Sequence, residues 1–183
     1  MIKNEIKSKS KFLSLILRHN PGKIGLELDA NGWADIEELI TLAKGKRTYL
    51  TMELIEEIVE QNDKKRFSLS EDGKRIRANQ GHSVQVDVEL KSVTPPEFLY
   101  HGTATRFLDS ILESGLNSRN RLHVHLSKDL QTATKVGQRH GKVVILQVAS
   151  GEMAVDGTEF YLSENGVWLC DQVDKKYLRL NKS

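Results

Sequence analysis

The stretch Arg66-Phe67-Ser68-Leu69-Ser70-Glu71-Asp72-Gly73-Lys74-Arg75-Ile76-Arg77-Ala78 reads as two short strands around a turn. Both flanks alternate apolar and polar residues, and Asp72-Gly73 between them is a strong hairpin signal. The period of two turns Phe67, Leu69 and Ile76 inward and Arg66, Arg75 and Arg77 outward.

Upstream, the pattern has the period of a helix. Phe12, Leu13, Ile16 and Leu17 recur at three- and four-residue spacings within residues 5–19, and Asn20-Pro21-Gly22 ends the run. Asp35 to Ala43 predicts a second helix with Ile36, Leu39, Ile40 and Ala43 on one side. A third begins at about Thr51, a good N-cap, with Leu54, Ile55 and Ile58 apolar. Three helices and then a β-hairpin resemble a winged-helix module.

Downstream, residues 79–97 lose the helical period and hold two of the three prolines, so a domain boundary is expected between Ser83 and Pro96. The lobes are then 1–90 and 91–183. In the second, Phe98-Leu99-Tyr100 reads as a short strand with His101-Gly102-Thr103 at its end. Phe107, Ile111 and Leu112 mark a helix closed by Gly115. Residues 122–126, 142–148, 167–170 and 177–180 read as further strands. Many short strands with few helices predict a β-rich α+β lobe.

The chain has 183 residues, room for one domain or two of roughly 90. Lys and Arg total 27 against 25 Asp and Glu, a net charge of +2, so any anion site must come from local clustering. With 38% hydrophobic residues a packed core is expected and disorder is not. The single cysteine, Cys170, excludes an intrachain disulfide framework and a Cys-rich zinc site. The apolar run Phe12–Leu17 is shorter than a signal peptide's core, and nothing approaches ~18 consecutive apolar residues. A cytoplasmic protein without a membrane segment is expected.

Three groups of residues can carry chemistry. Arg18-His19 ends the first helix, where cations also suit the helix dipole. In Arg121-Leu122-His123-Val124-His125-Leu126-Ser127, alternation puts Arg121, His123 and His125 on one face. Two histidines at i and i+2 can ligate a metal, but an arginine beside them repels a cation and no acidic ligand accompanies them. An anion or nucleotide pocket suits these donors better, and no metal is expected. In His101-Gly102-Thr103, the glycine lets a ligand approach the backbone between an imidazole and a hydroxyl. Rossmann and P-loop signatures are absent.

Several of these stretches occur together in one family. Ser10–His19, Gly32-Trp33-Ala34, Lys65-Arg66-Phe67, Ile76–Ser83, Tyr100–Thr103 and His123–Ser127 resemble, in this order, the RNA (tRNA) 2′-phosphotransferases. The resemblance covers about residues 9–180. It implies an N-terminal winged-helix lobe and a C-terminal ADP-ribosyltransferase-like lobe. It also implies NAD-dependent removal of an internal 2′-phosphate from RNA, as at a tRNA splice junction, with NAD consumed as co-substrate. The RNA phosphate attacks the anomeric carbon of the nicotinamide ribose, giving an RNA-2′-phospho-ADP-ribose intermediate. The 2″-hydroxyl then attacks phosphorus, giving 2′-hydroxyl RNA and ADP-ribose 1″,2″-cyclic phosphate.

The family's essential Arg-His-Arg-Arg set falls on Arg18, His19, Arg66 and Arg121; Arg119 is a rival for the last place. Converged arginines neutralise a phosphate monoester of ~−1.5 to −2 charges and grip its oxygens in planar forks. The resemblance points to His101, Gly102, Thr103, Ser127 and His123 for NAD, and Arg75, Arg77 and His82 are candidates for RNA backbone contacts. Protein-modifying ADP-ribosyltransferases carry a late glutamate where Glu164-Asn165-Gly166-Val167 has Val167; a phosphate nucleophile needs no base. A monomer is expected. Two other functions compete: capping of terminal nucleic-acid phosphates with ADP-ribose, and non-catalytic nucleic-acid binding.

Overall fold

A computed structural model describes residues 2–182. The chain divides between Glu89 and Leu90 into two compact units. In the first, helix α1 (Ile2–Arg18) is followed by strand β1 (Ala34–Asp35), α2 (Ile36–Gly45), α3 (Met52–Glu60), β2 (Phe67–Leu69) and β3 (Arg75–Ala78). Local chemistry sets these boundaries. The Asp35 carboxylate accepts from Glu38 N–H at 2.9 Å to start α2, and the Thr51 hydroxyl accepts from Leu54 N–H at 3.2 Å to start α3. Helix α1 ends where the His19 and Asn20 amides both bond back to the Leu15 carbonyl.

The hairpin forms with Phe67 opposite Ala78 and Leu69 opposite Ile76. Its loop is closed by the Ser70 amide on the Arg75 carbonyl, with Gly73 at φ 69°, a conformation that favours glycine. Strand β1, too short to leave a periodic trace, pairs with the other edge of β3, giving the order β1-β3-β2. Leu13, Ile16 and Leu17 of α1 pack with Ile36, Leu39, Ile55, Ile58, Phe67 and Ile76 in one core.

The second unit holds β4 (Leu99–Ala104), α4 (Thr105–Ser114), β5 (Leu116–Asn117), β6 (Val124–Leu126), α5 (Leu130–Gly137), β7 (Val143–Val148), α6 (Ser150–Val155), β8 (Tyr161–Leu162), β9 (Trp168–Cys170), β10 (Gln172–Val173) and β11 (Leu178–Leu180). Its strands form antiparallel sheets in the orders β11-β7-β4, β6-β9-β8 and β10-β5. The whole is a mixed α/β protein with small antiparallel sheets. Leu99, Leu126, Leu146, Val148, Phe160 and Trp168 share the second core. Among the described residues no helix is long and apolar enough to cross a membrane.

One expectation is extended here and one is corrected. The second unit holds α5 and α6 besides the expected α4, among eight short strands. Helix α5 hides in Leu-Gln-Thr-Ala-Thr-Lys-Val-Gly, whose threonines, valine and glycine are weak helix formers. It is started by the Asp129 carboxylate accepting from Thr132 N–H at 2.7 Å. His101, Gly102 and Thr103 do not end a strand; β4 runs through them to Ala104.

Candidate active site

In the first unit one short segment holds the candidate residues. After β3, the Asn79 amide N–H donates to the Arg66 carbonyl at 2.9 Å. The Asn79 side chain donates to the Lys65 carbonyl at 2.7 Å and accepts from the Ser68 hydroxyl at 2.7 Å. The backbone that presents Arg66 is therefore fixed from across the hairpin. Three residues on, His82 is 1% exposed and enters the interior beside Gly32. The Ser83 and Val84 amides then donate to the Arg18 carbonyl at 2.8 and 3.3 Å. The Ser83 hydroxyl meets Nδ1 of His19 at 2.9 Å.

This arrangement changes the reading of the three RNA-contact candidates. His82 is buried, and its Nε2 has no hydrogen-bond partner among the described residues. Burial, then the charges of Arg18, His19 and Arg77, lower its pKa to about 4. It is a neutral interior group and not a surface contact. The Arg77 side chain is only 13% exposed. Its guanidinium lies 4.5 Å over the Trp33 ring and 3.3 Å from Glu89. The outward face of β3 is thus covered at this position by stacking that alternation cannot reveal. Arg75, 49% exposed, reaches Asp29 at 3.3 Å and is the one of the three displayed to solvent.

In the second unit the geometry centres on β4 and β6. Tyr100 and Ser127 exchange both backbone hydrogen bonds, at 2.9 and 2.8 Å. This pairing is a single bridge and does not continue to Gly102. Alternation along an antiparallel strand turns the amide groups of His101 and Thr103 toward β7. Those of Gly102 face the other edge, just past Ser127, where no strand among the described residues pairs with them.

The glycine itself answers a second demand. A Cβ at 102 would collide with the Ala133 carbonyl of α5, so the missing side chain admits the helix. The ligand-approach reading of Gly102 therefore rests on its amide edge and not on its lack of a side chain.

His101 is held by its ring. Nδ1 lies 3.3 Å from the His125 carbonyl. Burial lowers the pKa of His101, the bond to His125 opposes this, and the charge of His140 adds to it. Thr103 is buried. Arg121 lies in a turn before β6, closed by its own amide on the Ser118 carbonyl at 3.0 Å, so strand alternation does not govern it. Its guanidinium nevertheless reaches His125 Nδ1 at 3.1 Å. Burial and then the charge of Arg139 lower its pKa from the usual arginine value.

Arg119 turns elsewhere, over the Phe107 ring at 5.6 Å. His123 leaves this group too: it packs edge-on to Tyr161 at 5.6 Å and lies 4.0 Å from Asp171. Burial lowers the His123 pKa against the opposing pull of Asp171. In the late turn, the Ser163 hydroxyl accepts from Val167 N–H at 3.0 Å. Among the described residues no group of three or more His, Cys, Asp or Glu could hold a metal ion.

The sequence does not mark Asn79 and Ser83 as the residues that fix Arg66 and His19, and it offers His125 as a pocket donor but not as the link between Arg121 and His101. Each acts through a tertiary contact, and nothing in its own spacing marks it.

Each unit thus carries guanidinium and imidazole groups on firmly held backbone, the donor types that suit anionic ligands. Comparison with known proteins narrows this class. Residues 3–172 match the RNA 2'-phosphotransferase, Tpt1 / KptA family. A protein of Flavobacterium johnsoniae named "Probable RNA 2'-phosphotransferase" is 56% identical over 178 residues, covering 97% of this chain and 98% of its own length. Proteins of the same name from Acaryochloris marina and Pseudomonas fluorescens are 56% identical over 173 residues and 55% over 180. They cover 94% and 98% of this chain and 96% and 99% of their own lengths. The chain belongs to this family of RNA 2′-phosphotransferases.

Proposed function

We propose that this protein removes an internal 2′-phosphate from RNA, of the tRNA splice-junction type, and consumes NAD in doing so. On this reading the first unit is a winged-helix lobe and the second an ADP-ribosyltransferase-like lobe. The observation that carries the NAD assignment is the Gly102 edge. One N–H and one C=O of the same residue face away from β7, and a primary carboxamide needs one acceptor and one donor in return. Nicotinamide carries that group. His101, with Nδ1 committed to the His125 carbonyl, offers Nε2 to a ribose hydroxyl. Thr103 and Ser127 border the same edge, and His123 is a more distant candidate.

Arg18, Arg66 and Arg121 are assigned to the substrate phosphate, which they orient and neutralise. In the first step a phosphate oxygen forms a bond to the anomeric carbon, and nicotinamide leaves with the electron pair of the glycosidic bond. The phosphate needs no general base, which fits Val167 in the late turn. In the second step the ribose 2″-hydroxyl attacks phosphorus and its proton passes to water. The arginines stabilise the added charge, and His19 gives a proton to the departing RNA 2′-oxygen. The products are 2′-hydroxyl RNA and ADP-ribose 1″,2″-cyclic phosphate. Arg75 is the remaining candidate for an RNA backbone contact.

The test is incubation with a 2′-phosphorylated oligoribonucleotide and NAD. Release of nicotinamide and the cyclic phosphate supports the reading. An ADP-ribosylated RNA end product without cyclic phosphate shows instead a transferase that stops after the first step. No NAD turnover at all overturns the enzymatic reading.

A further inference from the structure

The segment after β3 does more than continue the chain. Asn79 fixes the backbone at Arg66, and Ser83 reaches the end of α1, where it bonds to Arg18 by its amide and to His19 by its hydroxyl. We propose that Ser83 is a positioning residue for His19. Its hydroxyl holds the imidazole by Nδ1 in either protonation state and so fixes the direction in which Nε2 is presented. The functional meaning of this rests on the assignment of His19 as proton donor; the positioning itself does not.

Three observations support the inference. The contact is short, 2.9 Å from Oγ to Nδ1, between residues 64 positions apart. The hydroxyl is not placed by chance, since the Ser83 amide is tied to the Arg18 carbonyl at 2.8 Å, one residue from the ring it orients. His82, buried immediately before it, anchors the segment from inside. The chemistry suits a group that gains and loses a proton. A serine hydroxyl donates to the bare Nδ1 of a neutral ring and, after rotation, accepts from Nδ1–H of an imidazolium. The bond therefore survives both protonation states. A backbone carbonyl at the same place would fix the proton on Nδ1 and leave Nε2 without one.

The test uses Ser83→Ala and Ser83→Thr in the full chain. Alanine keeps the backbone bond to Arg18, so thermal melting is expected to match the parent. The direct readout is the pair of ring-nitrogen shifts of His19 in long-range proton–nitrogen spectra, assigned by their loss in His19→Gln. The parent is expected to show an Nδ1 shift displaced by the bond from Ser83. Ser83→Ala is expected to move the Nδ1 shift most, and Ser83→Thr to restore it. With 2′-phosphorylated RNA and NAD, Ser83→Ala is expected to slow the second step roughly tenfold. KM for NAD stays within about twofold, and threonine rescues the rate. Unchanged His19 shifts in Ser83→Ala overturn the proposal. Shifted His19 resonances with unaltered turnover uphold the positioning and remove His19 from the reaction, which separates the two claims.

Discussion

The Nδ1 atom of His101 lies 3.3 Å from the carbonyl oxygen of His125, and a carbonyl can only accept. The His101 ring proton therefore sits on Nδ1, and Nε2 keeps a lone pair while the ring is neutral. Burial and the charge of His140 favour that neutral form, against the pull of the bond to His125. Its pKa lies below the ordinary imidazole value, so the acceptor is intact at neutral pH. It disappears on acidification, when Nε2 takes up a proton. If Nε2 receives a ribose hydroxyl of NAD, binding is flat above about pH 6.5 and weakens as the pH falls below that range. Calorimetric titration of NAD at pH 7.5 and 5 checks this. His101→Gln is expected to bind roughly tenfold more weakly at pH 7.5 and to lose the pH dependence. A variant that binds as the parent does at both pH values removes His101 from the NAD site.

Gly102 separates a structural demand from a binding one. Any side chain there meets the Ala133 carbonyl, which is backbone in a packed helix and cannot swing aside. Gly102→Ala must displace α5 or bend β4, at a cost of about 1–3 kcal/mol or more. Thermal melting is expected to fall by several degrees, with or without NAD present. An alanine variant that melts like the parent would mean that α5 is not seated on β4 as described.

What the sequence discloses about this fold depends on how local the cause is. The hairpin at 66–78 and the Thr51 cap are legible because the residues that make them are neighbours in the chain. Helix α5 is not, since Thr132, Thr134 and Val136 argue against a helix and only packing on β4 and β7 decides the matter. Arg77 is a similar case. Alternation rightly takes it off the core face, but Trp33, 44 positions earlier, covers it. The site divides in the same way. Arg18, His19, Arg66 and Arg121 are nameable from a likeness between motifs. Asn79, Ser83 and His125, which contact the Lys65-Arg66 backbone, the His19 ring and the Arg121 guanidinium, are visible only through distances. His82 shows the cost of reading a histidine without its burial.

His82 should make the first unit sensitive to mild acid. Its folded pKa is about 4 against an unfolded value of 6.5. Between these values the unfolded chain binds a proton that the folded unit refuses, so stability rises with pH across this window. The contribution is complete above pH 6.5 and is lost as the pH falls toward 4, with a ceiling on the order of 3 kcal/mol. Urea unfolding followed by Trp33 fluorescence at pH 7, 5.5 and 4.5 should show this slope. His82→Gln, which cannot be protonated, should flatten it. A parent slope that persists in the variant would place its origin in other groups.

Arg121 and Arg119 lie two residues apart and can be told apart by what they touch. Arg119, itself exposed, has φ 50° and lays its guanidinium over the partly buried Phe107 ring. Arg121 is exposed as a residue too, but its guanidinium donates toward His125 Nδ1 at 3.1 Å, and partial desolvation and then Arg139 oppose its charge. Holding a guanidinium where neighbouring cations and lost hydration both work against it costs stability. That cost is offset when an anion arrives, so the position suits a phosphate ligand. Arg121→Lys keeps the charge but loses the planar fork, and is expected to lower kcat about 10²-fold. Melting should stay at the parent value or rise slightly. Arg119→Ala is expected to stay within about threefold of the parent in kcat/KM, because the stacking lost by an exposed guanidinium is worth only about 0.5 kcal/mol. Steady-state rates with 2′-phosphorylated RNA and NAD decide between them. If the losses fall the other way round, the phosphate assignment moves from Arg121 to Arg119, and the contact with His125 becomes a structural one.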